Sequence, residues 1–331
     1  MTVPLPAILI ASMTLVSAAY PASGADTPKS GVVSLIVEND SFYGNDEQYT
    51  NGIALTWVPT DGPAPSWVVR IAQWLPWFPK NAEVHHGYVF GQNTYTPSDI
   101  TVADPPLDDR PYAGWLYGTI SLAVESGRQL DQYALTLGVV GPASLAEQGQ
   151  KLIHGIQGSA EPQGWDTQLD NEPGIVLTYQ RSWRGLAARR IAGLELELTP
   201  HLGGALGNVY TYVNAGMTVR LGRSLSLDYG PPRIQPSVPG LGFFVPADQF
   251  AWYLFAGFEG RAVARNIFLD GNTFQDSRSV DKELLVGDLQ GGIVLTWRGV
   301  RLTYTHVLRS PEFDGQDDSE QFGSVSLSVG F

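Results

Sequence analysis

One stretch of the chain places an imidazole where it could act as a base. Ser144-Leu145-Ala146-Glu147 has the spacing of a capping box, with the serine oxygen taking the N3 amide and the glutamate returning to the cap amide, and it predicts a helix over 145–157. Gly158 can supply the left-handed residue that ends it. Gln150 and His154 lie four residues apart on that helix and share a face, with Glu147 a turn earlier. The other histidines suit water activation less well. His85 and His86 open a predicted strand, His201 lies near a short loop, and His306 continues the apolar face of Val300, Leu302 and Tyr304. An imidazole that titrates near neutrality is the usual proton acceptor for such chemistry. The competing reading is a plug or lid whose polar helix face meets only water.

A second constellation is made of oxygen. Glu38-Asn39-Asp40 and Tyr49-Thr50-Asn51-Gly52 bracket a loop with Asn45, Asp46 and Glu47. Hard donors of this kind suit calcium or magnesium rather than zinc, and the chain has no cysteine to offer a softer metal. The spacing is not that of an EF-hand, and an ordinary polar hairpin loop reads equally well. Strict alternation would send Asn39 and Asp40 to opposite faces, so both serve one site only if the strand ends or bulges there. In Asp108-Asp109-Arg110-Pro111-Tyr112 the arginine reads as a structural partner of its flanking carboxylates. The chain contains neither G-x-S-x-G nor H-E-x-x-H, which disfavours a conventional serine esterase or zinc peptidase.

Strands must carry these residues. At the C-terminus Val325, Leu327, Val329 and Phe331 alternate with Ser324, Ser326, Ser328 and Gly330, and period two recurs at 133–139 and 194–199. Alternation and breakers together give twelve segments, near 31–39, 49–59, 85–96, 114–126, 130–141, 174–184, 190–202, 209–222, 250–268, 283–297, 299–309 and 321–331. A sandwich hides its apolar face, whereas a membrane barrel turns that face to lipid, and periodicity alone does not separate them. An even strand number, a final aromatic residue and aromatics near strand ends (Trp57, Trp115, Trp183, Trp252, Trp297) favour an all-β, twelve-stranded antiparallel outer-membrane barrel with a short helix in an extracellular loop. The external loops are then 40–48, 97–113, 142–173, 203–208, 269–282 and 310–320. Two long periplasmic connections remain, 60–84 and 223–249; the first holds Trp67, Ile71, Trp74 and Leu75 at helical spacing.

Composition agrees. The first 24 residues carry no charged side chain and read as a secretory signal peptide, leaving 25–331 as the barrel domain. Net charge is −13, which repels nucleic acid over most of the surface. No later stretch is apolar for long enough to form a transmembrane helix.

The motifs are also familiar as a set: Glu38-Asn39-Asp40, Tyr49-Thr50-Asn51-Gly52, Tyr95-Thr96-Pro97-Ser98, Asp108 through Trp115, Val140-Gly141-Pro142 leading to Gln150 and His154, then Trp165, Gln168, Asn171 and Glu172. In this order, over essentially the whole mature chain, the sequence resembles the lipid A 3′-O-deacylases of Gram-negative outer membranes. That resemblance implies calcium-dependent hydrolysis of the 3′-linked acyloxyacyl ester, with a histidine activating water and the cation polarising the ester carbonyl. Carried over by motif, His154 is the base, Asn39 and Asp40 end the first strand, Thr50 supplies a hydroxyl, and Gln150 precedes the base by one turn. Asp40 and Glu161 are the implied calcium ligands. Lipid A in the outer leaflet is the implied partner, the outer membrane the location and a monomer the expected state. One departure stands out: 97–108 has no Lys or Arg where a family member meets substrate phosphate. A channel or structural barrel, a phospholipid esterase and an inactive relative are the alternatives.

Overall fold

The computed structural model describes residues 31–331 apart from 41–47, 61, 75–76, 80–81, 231–243, 245–248 and 317. The expected leader and the donors Asn45, Asp46 and Glu47 lie outside the described residues. Strands β1 (Gly31–Asn39), β2 (Gln48–Pro59), β3 (Glu83–Thr96), β4 (Ala113–Ser126), β5 (Gln129–Val140), β6 (Glu172–Trp183), β7 (Ala187–Ile191), β8 (Leu194–Gly207), β9 (Tyr210–Arg223), β10 (Ala251–Asn266), β11 (Leu285–Trp297), β12 (Val300–Arg309) and β13 (Glu320–Gly330) form one antiparallel sheet. β13 pairs back onto β1, which closes it. β7 prolongs β6 along β8 after an irregularity at 183–186, so the thirteen segments make a twelve-stranded barrel.

Ten strand positions match the alternation within a few residues; the sixth, expected to end at 184, continues through β7 to Ile191, and the seventh also differs. Expected over 190–202, it runs to Gly207, and His201 lies within the strand rather than near a loop. Gly203-Gly204 resembles a breaker, but a side chain at Gly203 would press on the Tyr179 carbonyl oxygen, 2.6 Å away, so the residue marks a close approach of strands. The external turn after this strand comes instead at Asn208-Val209, and the turn before it lies at Ala192-Gly193, both with positive φ.

Burial settles which face is inside. Leu55 is 52% exposed while its neighbour Thr56 is 1% exposed, and Ser324, Ser326 and Ser328 are buried. Apolar side chains therefore face outward and polar ones line the interior, the arrangement of a membrane barrel and the reverse of a soluble sandwich. Trp57, Trp252 and Trp297 face outward near the periplasmic ends. Trp115 does not belong with them: it is buried inside, stacked on Tyr117 at 5.8 Å.

The interior is filled. Arg261 and Arg309 both bind Asp288, Arg309 approaches Glu312, and Arg110 donates to Glu312 at 2.6 Å. Nearer the periplasm Asp228 pairs with Arg220 at 2.6 Å and Arg301 at 3.0 Å, and Phe244 is buried against Val32, Val58, Ala123 and Leu130. The second long periplasmic connection thus contributes residues that stopper the barrel. Burial pushes the Asp228 carboxyl up, but Arg301 and Arg220 outweigh it and hold it below its ordinary value.

Among the described residues three short α-helices complete the fold: α1 (Ser66–Ala72) after β2, α2 (Ala146–Gln157) after β5, and α3 (Ile267–Asp270) after β10. α2 is the helix expected in the third external loop.

Candidate functional site

α2 lies on the outside of the barrel wall, at its external rim. Gly114 of β4 falls in the outward register, and a Cβ there would collide with Ser144 Oγ and Ala146 Cβ. Gln92 of β3, two residues beyond the exposed Phe90 and on the same face, donates from Nε2 to the Ser144 carbonyl at 2.6 Å. A Cβ at Gly149 would stand 2.9 Å from Gln92 Oε1. The first turns of the helix therefore step from β4 to β3, in the direction of β2 and β1.

The capping box does not form. Pro142–Ser144 makes a tight 3-10 turn, Leu145 takes the left-handed conformation at the N-cap, and Ser144 packs down on Gly114. Glu147, released from capping, binds Lys151 at 2.8 Å. Gly158 ends the helix in the left-handed region, as its position predicts.

Ala146, Gln150 and His154 form the buried face, whereas Leu145, Leu152 and Ile156 form an exposed apolar stripe beside it. Gln150 is held by Trp165, whose Nε1 donates to Gln150 Oε1 at 2.8 Å. The Gln150 Nε2 is buried with no hydrogen-bond partner among the described residues. His154 Nδ1 and the Ala160 carbonyl oxygen are 2.6 Å apart. Because the carbonyl can only accept, Nδ1 carries the proton in this contact, which leaves Nε2 as the nitrogen that can accept one when the ring is neutral.

The loops brace this helix. Trp165 packs on Tyr112, ring centres 5.0 Å apart; Tyr112 Oη and the Gln163 amide both donate to the Ile100 carbonyl. The Arg110 guanidinium is not paired with its flanking carboxylates, although its backbone amide donates to Asp109 Oδ1 at 2.7 Å. It reaches Glu312 in the last external loop, while Asp109 accepts from the amide and hydroxyl of Ser98 at 2.8 and 2.6 Å. Sequence reasoning had no means of finding Glu312, 202 residues away. Nor did it give Trp165 or Gly114 a role, although both stood within the recognised motifs.

Asn39 ends β1 and Asp40 begins a bend; both are buried. The strand ends where alternation would have separated them. Asn39 lies opposite Asn51, Asn51 opposite Thr94 and Thr94 opposite Gly114, so one outward row crosses four strands toward the foot of α2. Thr50 lies where β2 bulges: the register shifts between Gln48 and Asn51. Glu161 is exposed and directly follows the residue whose carbonyl meets His154. Among the described residues no group of three or more His, Asp or Glu could hold a metal ion. The donors at this end, the Asp40 carboxylate beside the Asn39 and Asn51 amides, are all hard or neutral oxygen and suit calcium, not zinc.

The model of the family described as outer membrane protein LpxR matches residues 8–331. LpxR from Salmonella typhimurium has a similar structure, with a TM-score of 0.74 at 20% identity, covering 91% of this chain and 100% of that one. The β domain of the Bordetella autotransporter BrkA aligns over 92% of this chain and 100% of its own at 9% identity and a TM-score of 0.44, which carries no argument. No curated protein matches. The chain belongs to the LpxR family of the outer membrane, the lipid A 3′-O-deacylase family whose motifs it carries.

Proposed function

We propose that this protein hydrolyses the 3′-linked acyloxyacyl ester of lipid A in the outer leaflet, with His154 as the base that activates water. The position of α2 carries the proposal: its buried Gln150–His154 face lies on the lipid side of the wall, at the external rim, where an ester of an outer-leaflet lipid arrives without entering the barrel. His154 is five residues beyond Gly149, about 7 Å further along the helix axis. Asn39 is two strand spacings from β3, or about 10 Å. The direction of α2 supports bringing these groups to one cleft.

In this reading the Nδ1–Ala160 hydrogen bond fixes the imidazole so that Nε2 receives the proton of the attacking water. The Gln150 amide, held by Trp165, orients water or the ester beside it. Asp40 and Glu161 would hold calcium, which when bound supplies positive charge to the developing oxyanion.

The test is incubation of purified protein with lipopolysaccharide, with calcium or with chelator, followed by mass spectrometry of the lipid. Loss of a 3-(acyloxy)acyl group in calcium alone is expected. Release of a phospholipid acyl chain instead would move the substrate class, and undiminished release by a folded His154→Ala variant would overturn the assignment of the base. A passive channel is the weaker reading, because buried ion pairs and Phe244 occupy the interior.

A further inference from the structure

The connection between β2 and β3 climbs back onto the outer wall. Leu122 and Val124 of β4 and Tyr133 of β5 face outward yet are buried, because Ala64, Ala72 and Phe78 cover them. Trp77 packs near Tyr179 of β6, ring centres 5.8 Å apart. α1 presents three faces. Val68, Val69 and Ala72 meet the wall, Ser66, Arg70 and Gln73 form an exposed polar stripe, and Trp67, Ile71 and Trp74 form an exposed apolar one. Between α1 and the wall lies a cleft of about 630 Å³, bounded by this apolar stripe and by Leu135, Leu177 and Leu206. Its floor dips at Gly204, which pairs with Tyr179 on one side and Val213 on the other.

We propose that this cleft binds one glycerophospholipid of the periplasmic leaflet, with an acyl chain along the cleft and the phosphate at Arg70. α1 joins the periplasmic ends of two strands, so the cleft opens in the opposite leaflet from α2. It is continuous with the lipid-facing wall, since Leu177 and Leu206 at its edge are exposed. A lining this largely apolar, with few polar groups such as the Tyr133 hydroxyl, offers little to a peptide backbone or to water, which would forfeit most hydrogen bonds there, whereas an acyl chain makes no such demand. Arg70 has no carboxylate partner among the described residues; its Nε donates to the Ser66 carbonyl at 3.3 Å, which leaves the remaining guanidinium donors for phosphate. A helix with tryptophans toward hydrocarbon and a basic residue toward headgroups matches interfacial anchoring. Enclosure between helix and wall distinguishes the site from the shell of lipid around any barrel.

The experiment titrates lipid-stripped protein in detergent with phosphatidylglycerol bearing dibrominated acyl chains, which quench tryptophan on contact. Saturable quenching at low lipid mole fraction is expected. It should fall in the Trp67→Phe/Trp74→Phe variant to the share contributed by Trp77, which also lines the cleft, need at least tenfold more lipid in Ile71→Asn, and weaken several-fold in Arg70→Glu. Heat-modifiable gel mobility confirms that each variant is folded. Quenching that tracks bulk lipid fraction without saturating, or saturation unchanged in folded Ile71→Asn, overturns the site. Unchanged affinity in Arg70→Glu overturns the headgroup contact.

Discussion

His154 is useful only if its ring is fixed, and its hydrogen bond to the Ala160 carbonyl helps to fix it. Replacing it with alanine should reduce ester release about 100-fold or more, the usual worth of a positioned base, with barrel mobility on gels unchanged. Trp165 acts through Gln150. Trp165→Phe removes the indole donor while keeping the ring on Tyr112, leaving Gln150 with buried amide atoms unpartnered at both ends. The expected result is a fall in kcat of about tenfold, an order-of-magnitude consequence of about 1.4 kcal/mol of lost positioning, with KM little changed. A proportional rise in KM would place Trp165 in substrate binding instead. These residues were legible to different degrees. His154 and Gln150 declared themselves by helical spacing, but the partner that holds Gln150 lies fifteen residues on, across a loop whose path no periodicity describes.

At the scale of elements, α2 depends on the absence of a side chain in β4. Gly114→Val should push the helix off the wall, abolish hydrolysis and leave the barrel intact; faster amide exchange confined to 144–157 would be the signature. Loop bracing has its own pH dependence. Burial pushes the Glu312 carboxyl up, but Arg309, Arg110 and Arg261 overcome that and hold it below its ordinary 4.5. A depressed carboxylate adds stability that is present above 4.5 and is lost as pH falls through the lower folded value. Acid unfolding should therefore begin below pH 4.5, and Glu312→Gln should cost about 3–5 kcal/mol near neutral pH by leaving buried arginine charge unmatched. Arg110→Met combined with Glu312→Leu should recover much of that loss in urea titrations. Glu172 ties a further pair of loops, accepting from Asn208 at 2.8 Å, the Thr273 amide at 2.7 Å and Asn272 at 3.2 Å.

For the whole molecule, buried ion pairs and the periplasmic stopper predict no stable single-channel conductance in planar bilayers; a steady ohmic current would refute the filled interior. The external face has a further consequence. The cations of its described loops are already engaged: Lys151 with Glu147, Arg278 with Asp104, Lys282 with Asp270 and Arg110 with Glu312. Carboxylates outnumber them, so an anionic headgroup meets repulsion. Added monovalent salt should lower KM for lipid A by screening it, within the ~10 Å range of such interactions at 0.1 M. A KM that rises with salt would indicate attraction by unpaired cations.

Period two, even strand number and a helix-borne histidine are read along the chain, and they pointed to the barrel, most of its strand positions and the existence of α2. Local pattern reads the neighbourhood along the chain, and side-chain alternation repeats every two residues wherever the strand runs. Tertiary structure alone decided which face meets lipid, that α2 sits outside rather than within the mouth, and that Arg110 reaches Glu312. It also decided that the Ser144 cap yields to packing on Gly114. Each of these depends on closing the sheet, which brings residues far apart in sequence into contact and leaves the outer wall, not the interior, open to an acyl chain.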